Sequence, residues 1–186
     1  MCPQHSRPTA LPPPQPLLSA ERIAARVAEL AREIDAALPP GAITVVVILR
    51  GAFVFAADLV RRLPRDLRCD FLGVRSYGAA TQTSGVVEIT HDLALPITGQ
   101  HVLLVEDIVD TGLTLRHLLD LLATRQPASI RVCALLDKPA RRQLRAPVDF
   151  VGFEIPDRFV VGYGLDHDQL YRNLPYIGVI EEPNEP

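Results

Sequence analysis

The chain holds a single lysine against eighteen arginines, and its three cysteines, Cys2, Cys69 and Cys133, form no CxxC pair. An odd count at wide spacing argues against a disulfide framework and fits a reducing, cytoplasmic compartment. The longest nearly unbroken apolar run, residues 42–49, is far too short to cross a bilayer, so no membrane span is expected. The N-terminus lacks a charged region followed by an apolar core, so no secretion signal is expected either. No Gly-Lys-Ser/Thr loop suits a triphosphate, and no GxGxxG suits a dinucleotide. With a net charge of −3, nothing favours bulk nucleic-acid binding. The arginine excess reads as a coding bias, which makes Lys138 the cation worth following.

What is present fits one α/β domain. The 186 residues suffice for a single core, and 48% of them are hydrophobic. Pro3, Pro8, Pro12, Pro13, Pro14 and Pro16 mark 1–18 as a disordered leader. The folded domain is expected over 19–182, with 183–186 a frayed tail. Ser19 suits an N-cap, and Ile23, Val27, Leu30, Ile34 and Leu38 recur at helical spacing, predicting a helix over 20–38. The β-branched run 43–49 predicts a central parallel strand, followed by a helix over 52–63. Strands are expected over 69–77 and 86–90, with the polar stretch 79–85 between them as a mobile loop. Further strands are expected over 129–136, 148–153 and 176–180. Strands alternating with helices imply a parallel sheet covered on both faces.

The most informative stretch is His101-Val-Leu-Leu-Val-Glu-Asp-Ile-Val-Asp-Thr-Gly-Leu-Thr114. Residues 102–105 read as a buried strand, and Leu115, Leu118, Leu119 and Leu122 as the following helix. A tight loop entering a helix N-terminus favours an anion, most often phosphate. Gly112 lets the backbone approach it, and Thr111 and Thr114 add hydroxyls. Acids beside an anion site look contradictory. They make sense if Glu106 and Asp107 accept from sugar hydroxyls while Asp110 faces a base. A ribose phosphate meets all three demands.

Residues 105–114 resemble the phosphoribosyl-pyrophosphate (PRPP) motif of type I phosphoribosyltransferases. A second run, Glu154-Ile-Pro-Asp-Arg-Phe-Val-Val-Gly-Tyr-Gly-Leu-Asp166, resembles the C-terminal signature of the hypoxanthine-guanine members of that family. The resemblance covers about 20–182. It implies the type I phosphoribosyltransferase fold: a central parallel sheet flanked by helices, a small hood and a flexible active-site loop carrying Ser76 and Tyr77. It implies transfer of phosphoribose from PRPP to a 6-oxopurine with Mg2+, in a homodimer or homotetramer.

Carried over residue by residue, the loop amides of Asp110, Thr111, Gly112, Leu113 and Thr114 meet the 5-phosphate. Arg50-Gly51, in a turn whose peptide bond is often cis in the family, and Arg172 meet pyrophosphate. Arg50 stands where the family carries lysine, which leaves the turn's backbone role unaffected. Lys138 donates to the purine oxo group, Phe159 stacks on the ring and the Val160 carbonyl takes a ring or amine N–H. Asp166 lies beside the purine and, with Glu106 and Asp107, near the metal. Asp110 is the candidate catalytic base. Three other readings stay open at this point: an enzyme of the same fold taking xanthine, a PRPP-sensing regulator without catalysis, and a ligand-binding α/β domain with a decayed site, against which the intact acids Glu106, Asp107, Asp110 and Asp166 weigh. The acid–arginine balance and the lack of an added helix-turn-helix disfavour the regulator.

Overall fold

A computed structural model describes residues 13–76, 87–144 and 146–180. Its main sheet has six strands in the order β4-β3-β2-β5-β6-β7. These are β2 (Ile43–Leu49), β3 (Leu67–Ser76), β4 (Val87–His91), β5 (His101–Val109), β6 (Ser129–Asp137) and β7 (Phe150–Glu154). All neighbours pair in parallel except β4, which returns antiparallel along β3. Helices α1 (Ala20–Ala37) and α2 (Phe53–Val60) pack on one face and α3 (Leu113–Ala123) on the other.

The alternation of a strand decides which residue faces which layer. In β2, Ile43, Val45 and Val47 join the α1/α2 core, whereas Val46 and Ile48 join the α3 core. In β5, Leu103 and Val105 point one way, Val102 and Leu104 the other. Because both faces are covered, these strands are continuously apolar. Helix α1 starts as expected: Ser19 Oγ accepts from Arg22 N at 3.3 Å. Arg26 ties α1 to the far edge of the sheet, donating to the carbonyls of Val151 and Gly152.

A small antiparallel sheet, β1-β9-β8, forms the hood from β1 (Gln15–Leu18), β8 (Val160–Val161) and β9 (Ile177–Val179). Here the structure starts the folded chain earlier than the prolines suggest. Strand β1 lies at the edge of its sheet, where Pro16 needs no ladder N–H. Leu18 is buried in the core beside α1. Strand β5 is also longer than its apolar segment. It pairs with β6 from His101 through Val109, so Glu106 and Asp107 lie within it rather than beyond its end.

The strand order reverses direction between β2 and β5, where one connection runs to β3 and the other arrives from β4. In open parallel sheets, ligands bind at the carboxyl ends of strands flanking such a point. Residues 49–51 and 106–112 lie there.

Candidate active site

Three clefts meet at this edge. The first, about 220 Å3, lies between the ends of β2 and β5, lined by Arg50, Gly51, Glu106, Asp107 and the loop 110–112 with Thr114. The second, about 600 Å3, opens towards the hood between Asp110, Lys138, Phe159, Val160 and Asp166. The third, about 590 Å3, is bounded by Arg50, Gly51, Asp107, Asp166 and Arg172. Asp110 is shared by the first and second clefts, and Asp107 by the first and third. Such an arrangement suits a ligand with a phosphorylated sugar at the centre, a heterocycle on one side and a second charged group on the other.

The central loop is held from behind. Gly112 has φ +84°, and a Cβ there would sit 2.5 Å from the Leu144 carbonyl oxygen. Gln143 N and Leu144 N donate to the Thr111 carbonyl at 2.9 and 3.1 Å. Leu113 N reaches Thr111 Oγ1 at 3.4 Å. The next N–H groups of the first turn, those of Thr114 and Leu115, have no acceptor within the helix and are available to an anion.

Successive side chains of β5 diverge, which separates the two acids. Asp107 leans on the Gly51 turn, so closely that a Cβ on Gly51 would land on Asp107 Oδ2. The Leu49–Arg50 peptide bond of that turn is cis, as the resemblance implies. Glu106 is 6% exposed, and its Oε2 is buried without a hydrogen-bond partner. Burial pushes the Glu106 carboxyl well above the usual range, and the Asp107 charge adds to it. Burial likewise pushes Asp107 up to about 6, against the N–H of Ile108, which donates to Oδ1 at 2.8 Å. Such carboxyls ionise less readily than exposed ones and gain from a donor or cation placed beside them.

Folded Asp107 keeps its proton to higher pH than the unfolded chain, whose carboxyl titrates near 3.8. Its contribution is therefore fully present at low pH and is lost as pH rises through about 6. Asp107→Asn should raise the melting temperature at pH 7.5 by several degrees, at roughly 2–4 °C per kcal/mol, and leave it nearly unchanged at pH 4. Thermal scans in metal-free buffer at both pH values check this; equal shifts at both would contradict it.

The residues expected to face the purine come from three elements. Lys138 follows β6, is 7% exposed, and its Nζ lies 3.8 Å from Asp157 Oδ1. Its backbone N–H donates to the Val109 carbonyl at 2.9 Å, joining the ends of β5 and β6. Phe159 is 39% exposed, and its ring and that of His167 form a T-shaped pair with centroids 5.3 Å apart at 82°. Val160 is buried in β8. Asp166 Oδ1 pairs with Arg172 at 2.7 Å, and its Oδ2 accepts from Gln169 N at 2.8 Å. Arg172 also donates to the Gly164 carbonyl at 2.7 Å, so its guanidinium is fixed beside the third cleft.

The expected site residues thus converge, apart from two. Tyr77 lies outside the described residues, as does most of the expected closing loop, and Ser76 ends β3. Sequence reasoning missed His167 and Arg141. His167 had a faint signal, since it directly follows the matched run ending at Asp166. Arg141 had none until the turn after β6 brought it beside Asp110.

A parallel sheet with an acid pair and an anion loop at its reversal point, under a small hood, is the arrangement that the resemblance to phosphoribosyltransferases implies. Residues 16–168 match the family described as phosphoribosyl transferase domain. The hypoxanthine-guanine phosphoribosyltransferase of Mycobacterium avium is 50% identical over 171 residues, covering 89% of this chain and 84% of the relative. That of Bacillus subtilis (strain 168) is 46% identical over 165 residues, covering 89% and 92%. A solved hypoxanthine-guanine phosphoribosyltransferase from Bacillus anthracis superposes with a TM-score of 0.86 at 44% identity, covering 90% of this chain and 98% of that one. The chain belongs to the phosphoribosyltransferase family, in its hypoxanthine-guanine branch.

Proposed function

We propose that the chain transfers the phosphoribosyl group of PRPP to hypoxanthine or guanine, giving IMP or GMP and pyrophosphate. The reading is supported by one observation: the three clefts join in series at Asp107 and Asp110, an order that suits pyrophosphate, ribose phosphate and base. The bond from the anomeric carbon to pyrophosphate breaks, and a purine nitrogen bonds to that carbon from the opposite face. The purine N–H proton goes to Asp110. No covalent intermediate is needed, so the side chains position reactants and stabilise charge.

The amides of residues 110–114 hold the 5-phosphate. Glu106 and Asp107 accept from the ribose hydroxyls, and their negative charge favours the cationic sugar of the transition state. Arg172 and the Arg50-Gly51 turn receive pyrophosphate. Phe159 stacks on the purine, Lys138 donates to its oxo group, and the Val160 carbonyl and Asp166 border the ring. Ser76 and Tyr77 belong to the loop assigned to close over the site and exclude water.

Mg2+ fits this donor set. Among the described residues no three His, Cys, Asp or Glu side chains form a ready cage. Mg2+ commonly takes one or two carboxylates and completes its shell with water and substrate phosphates. Asp107 and Asp166 border the third cleft, and Glu106 adds a buried, unpartnered oxygen. When bound there, the ion offsets the charge of departing pyrophosphate.

The domain is assigned to 19–182 with β1 added, and the assembly to a homodimer or homotetramer; exposed Phe53 beside a mostly apolar groove suits a subunit contact. No helix among the described residues is long and apolar enough to cross a membrane, and a cytoplasmic enzyme is the proposed setting. Purified protein assayed with PRPP, Mg2+ and hypoxanthine, guanine or xanthine tests the reading. Nucleotide formed from the first two supports it, and none from any purine refutes it.

Lys138→Ala should raise the purine KM by about tenfold or more, because a buried donor to the oxo group is worth roughly 1.5–3 kcal/mol. The PRPP KM should stay within about twofold, since Lys138 does not border the first or third cleft. Equal losses for both substrates would remove Lys138 from purine recognition.

A further inference from the structure

Arg141 closes a three-residue 3-10 turn, Pro139–Arg141, directly after Lys138. Its backbone N–H donates to the Lys138 carbonyl at 3.1 Å. Its side chain lies along the wall of the second cleft and reaches two acids from different loops. Nε is 3.0 Å from Asp110 Oδ1, and Nη1 donates to Asp157 Oδ1 at 3.3 Å. Asp157 in turn lies 3.8 Å from Lys138 Nζ.

The Asp110 end of this bridge is unusual. Asp110 Oδ1 is shielded from solvent and accepts no aligned hydrogen bond, although the guanidinium stands beside it. The contact is therefore an ion pair that draws Oδ1 towards the wall without saturating it. The other oxygen, Oδ2, is left for the base. Arg141 itself is anchored at its far end, because Asp157 binds Nη1 and keeps the guanidinium from following Asp110 into the cleft. A single short turn thus delivers Lys138 to the oxo side of the purine and Arg141 to the proton acceptor.

We propose that Arg141 is a positioning residue for the transfer step: by bridging Asp110 and Asp157 it fixes which Asp110 oxygen meets the purine proton. The inference rests on the phosphoribosyl-transfer reading above. Arg141 borders neither the first nor the third cleft and meets the phosphate loop only at the Asp110 side chain, so the main-chain N–H groups assigned to PRPP are not engaged by the bridge. What it sets is the alignment of the proton acceptor, an effect felt in turnover rather than in affinity.

The test is steady-state kinetics of the unsubstituted protein, Arg141→Gln and Arg141→Lys, with PRPP, Mg2+ and hypoxanthine. Arg141→Gln should lower kcat by about tenfold to a hundredfold, the range expected for a misaligned reacting group. The PRPP KM should stay within about twofold. Its melting temperature should move by no more than about 2 °C, because Arg141 is half exposed and buries no apolar core. Arg141→Lys, which keeps the charge, should recover most of the lost turnover. An active parent with an equally active Arg141→Gln overturns the inference alone. So does a PRPP KM that rises in step with the loss, or a lysine variant no better than glutamine. A parent that forms no nucleotide overturns the inference together with the reading beneath it.

Discussion

Asp110→Asn should lower forward turnover by about a hundredfold or more, within the range that a positioned general base contributes. The substitution is nearly isosteric, so the loop 110–112 keeps its shape and its braces from Gln143 and Leu144. Asparagine cannot accept the purine proton as a carboxylate does, and it no longer pairs ionically with Arg141. PRPP binding should survive, because the proposed function assigns the 5-phosphate to main-chain N–H groups and the ribose to Glu106 and Asp107. Calorimetric titration with PRPP beside a turnover assay separates the two. Unchanged turnover would remove Asp110 from the chemistry. Loss of PRPP binding would instead make it part of the phosphate cradle.

Gly51→Ala should reduce kcat/KM by about a hundredfold, since displacements near 1 Å at a reacting centre carry penalties of that order. Gly51 is not among the positive-φ glycines, so its backbone conformation does not exclude alanine. Space does: the added methyl would land on Asp107 Oδ2. Asp107 would have to leave the junction between the first and third clefts. The cause can be isolated by a double-mutant cycle. In an Asp107→Ala background the methyl meets nothing of the lost carboxylate, so Gly51→Ala should cost far less there. Additive losses would show that Gly51 acts through the turn itself and not through Asp107.

The sequence already displayed the parts whose chemistry is local. A β-branched run, a leucine-spaced helix and the glycine between an acid-rich strand and that helix each carry their own signal. That is why residues 105–114 could be assigned roles before any contact was known. Strand β5 overran its apolar segment because the ladder with Ala134, Leu136 and Asp137 of β6 outweighs the polarity of Glu106 and Asp107. Strand β1 was hidden behind prolines that an edge position tolerates. The bridge from Arg141 to Asp110 depends on packing between loops far apart in the chain, and nothing in residue spacing announces it. The same holds for the T-shaped contact of His167 with Phe159, the ring proposed to carry the purine.

The central claim is that the backbone of residues 110–114 grips a sugar phosphate while the acids beside it serve the hydroxyls and the base. The most direct measurement is a crystal structure of the protein with its nucleotide product, inosine monophosphate. The account predicts the phosphate against the N–H groups at the start of α3, the ribose hydroxyls on Glu106 and Asp107, and the purine over Phe159 with its oxo group towards Lys138. A nucleotide bound elsewhere, with the cleft between β2 and β5 empty, would contradict it.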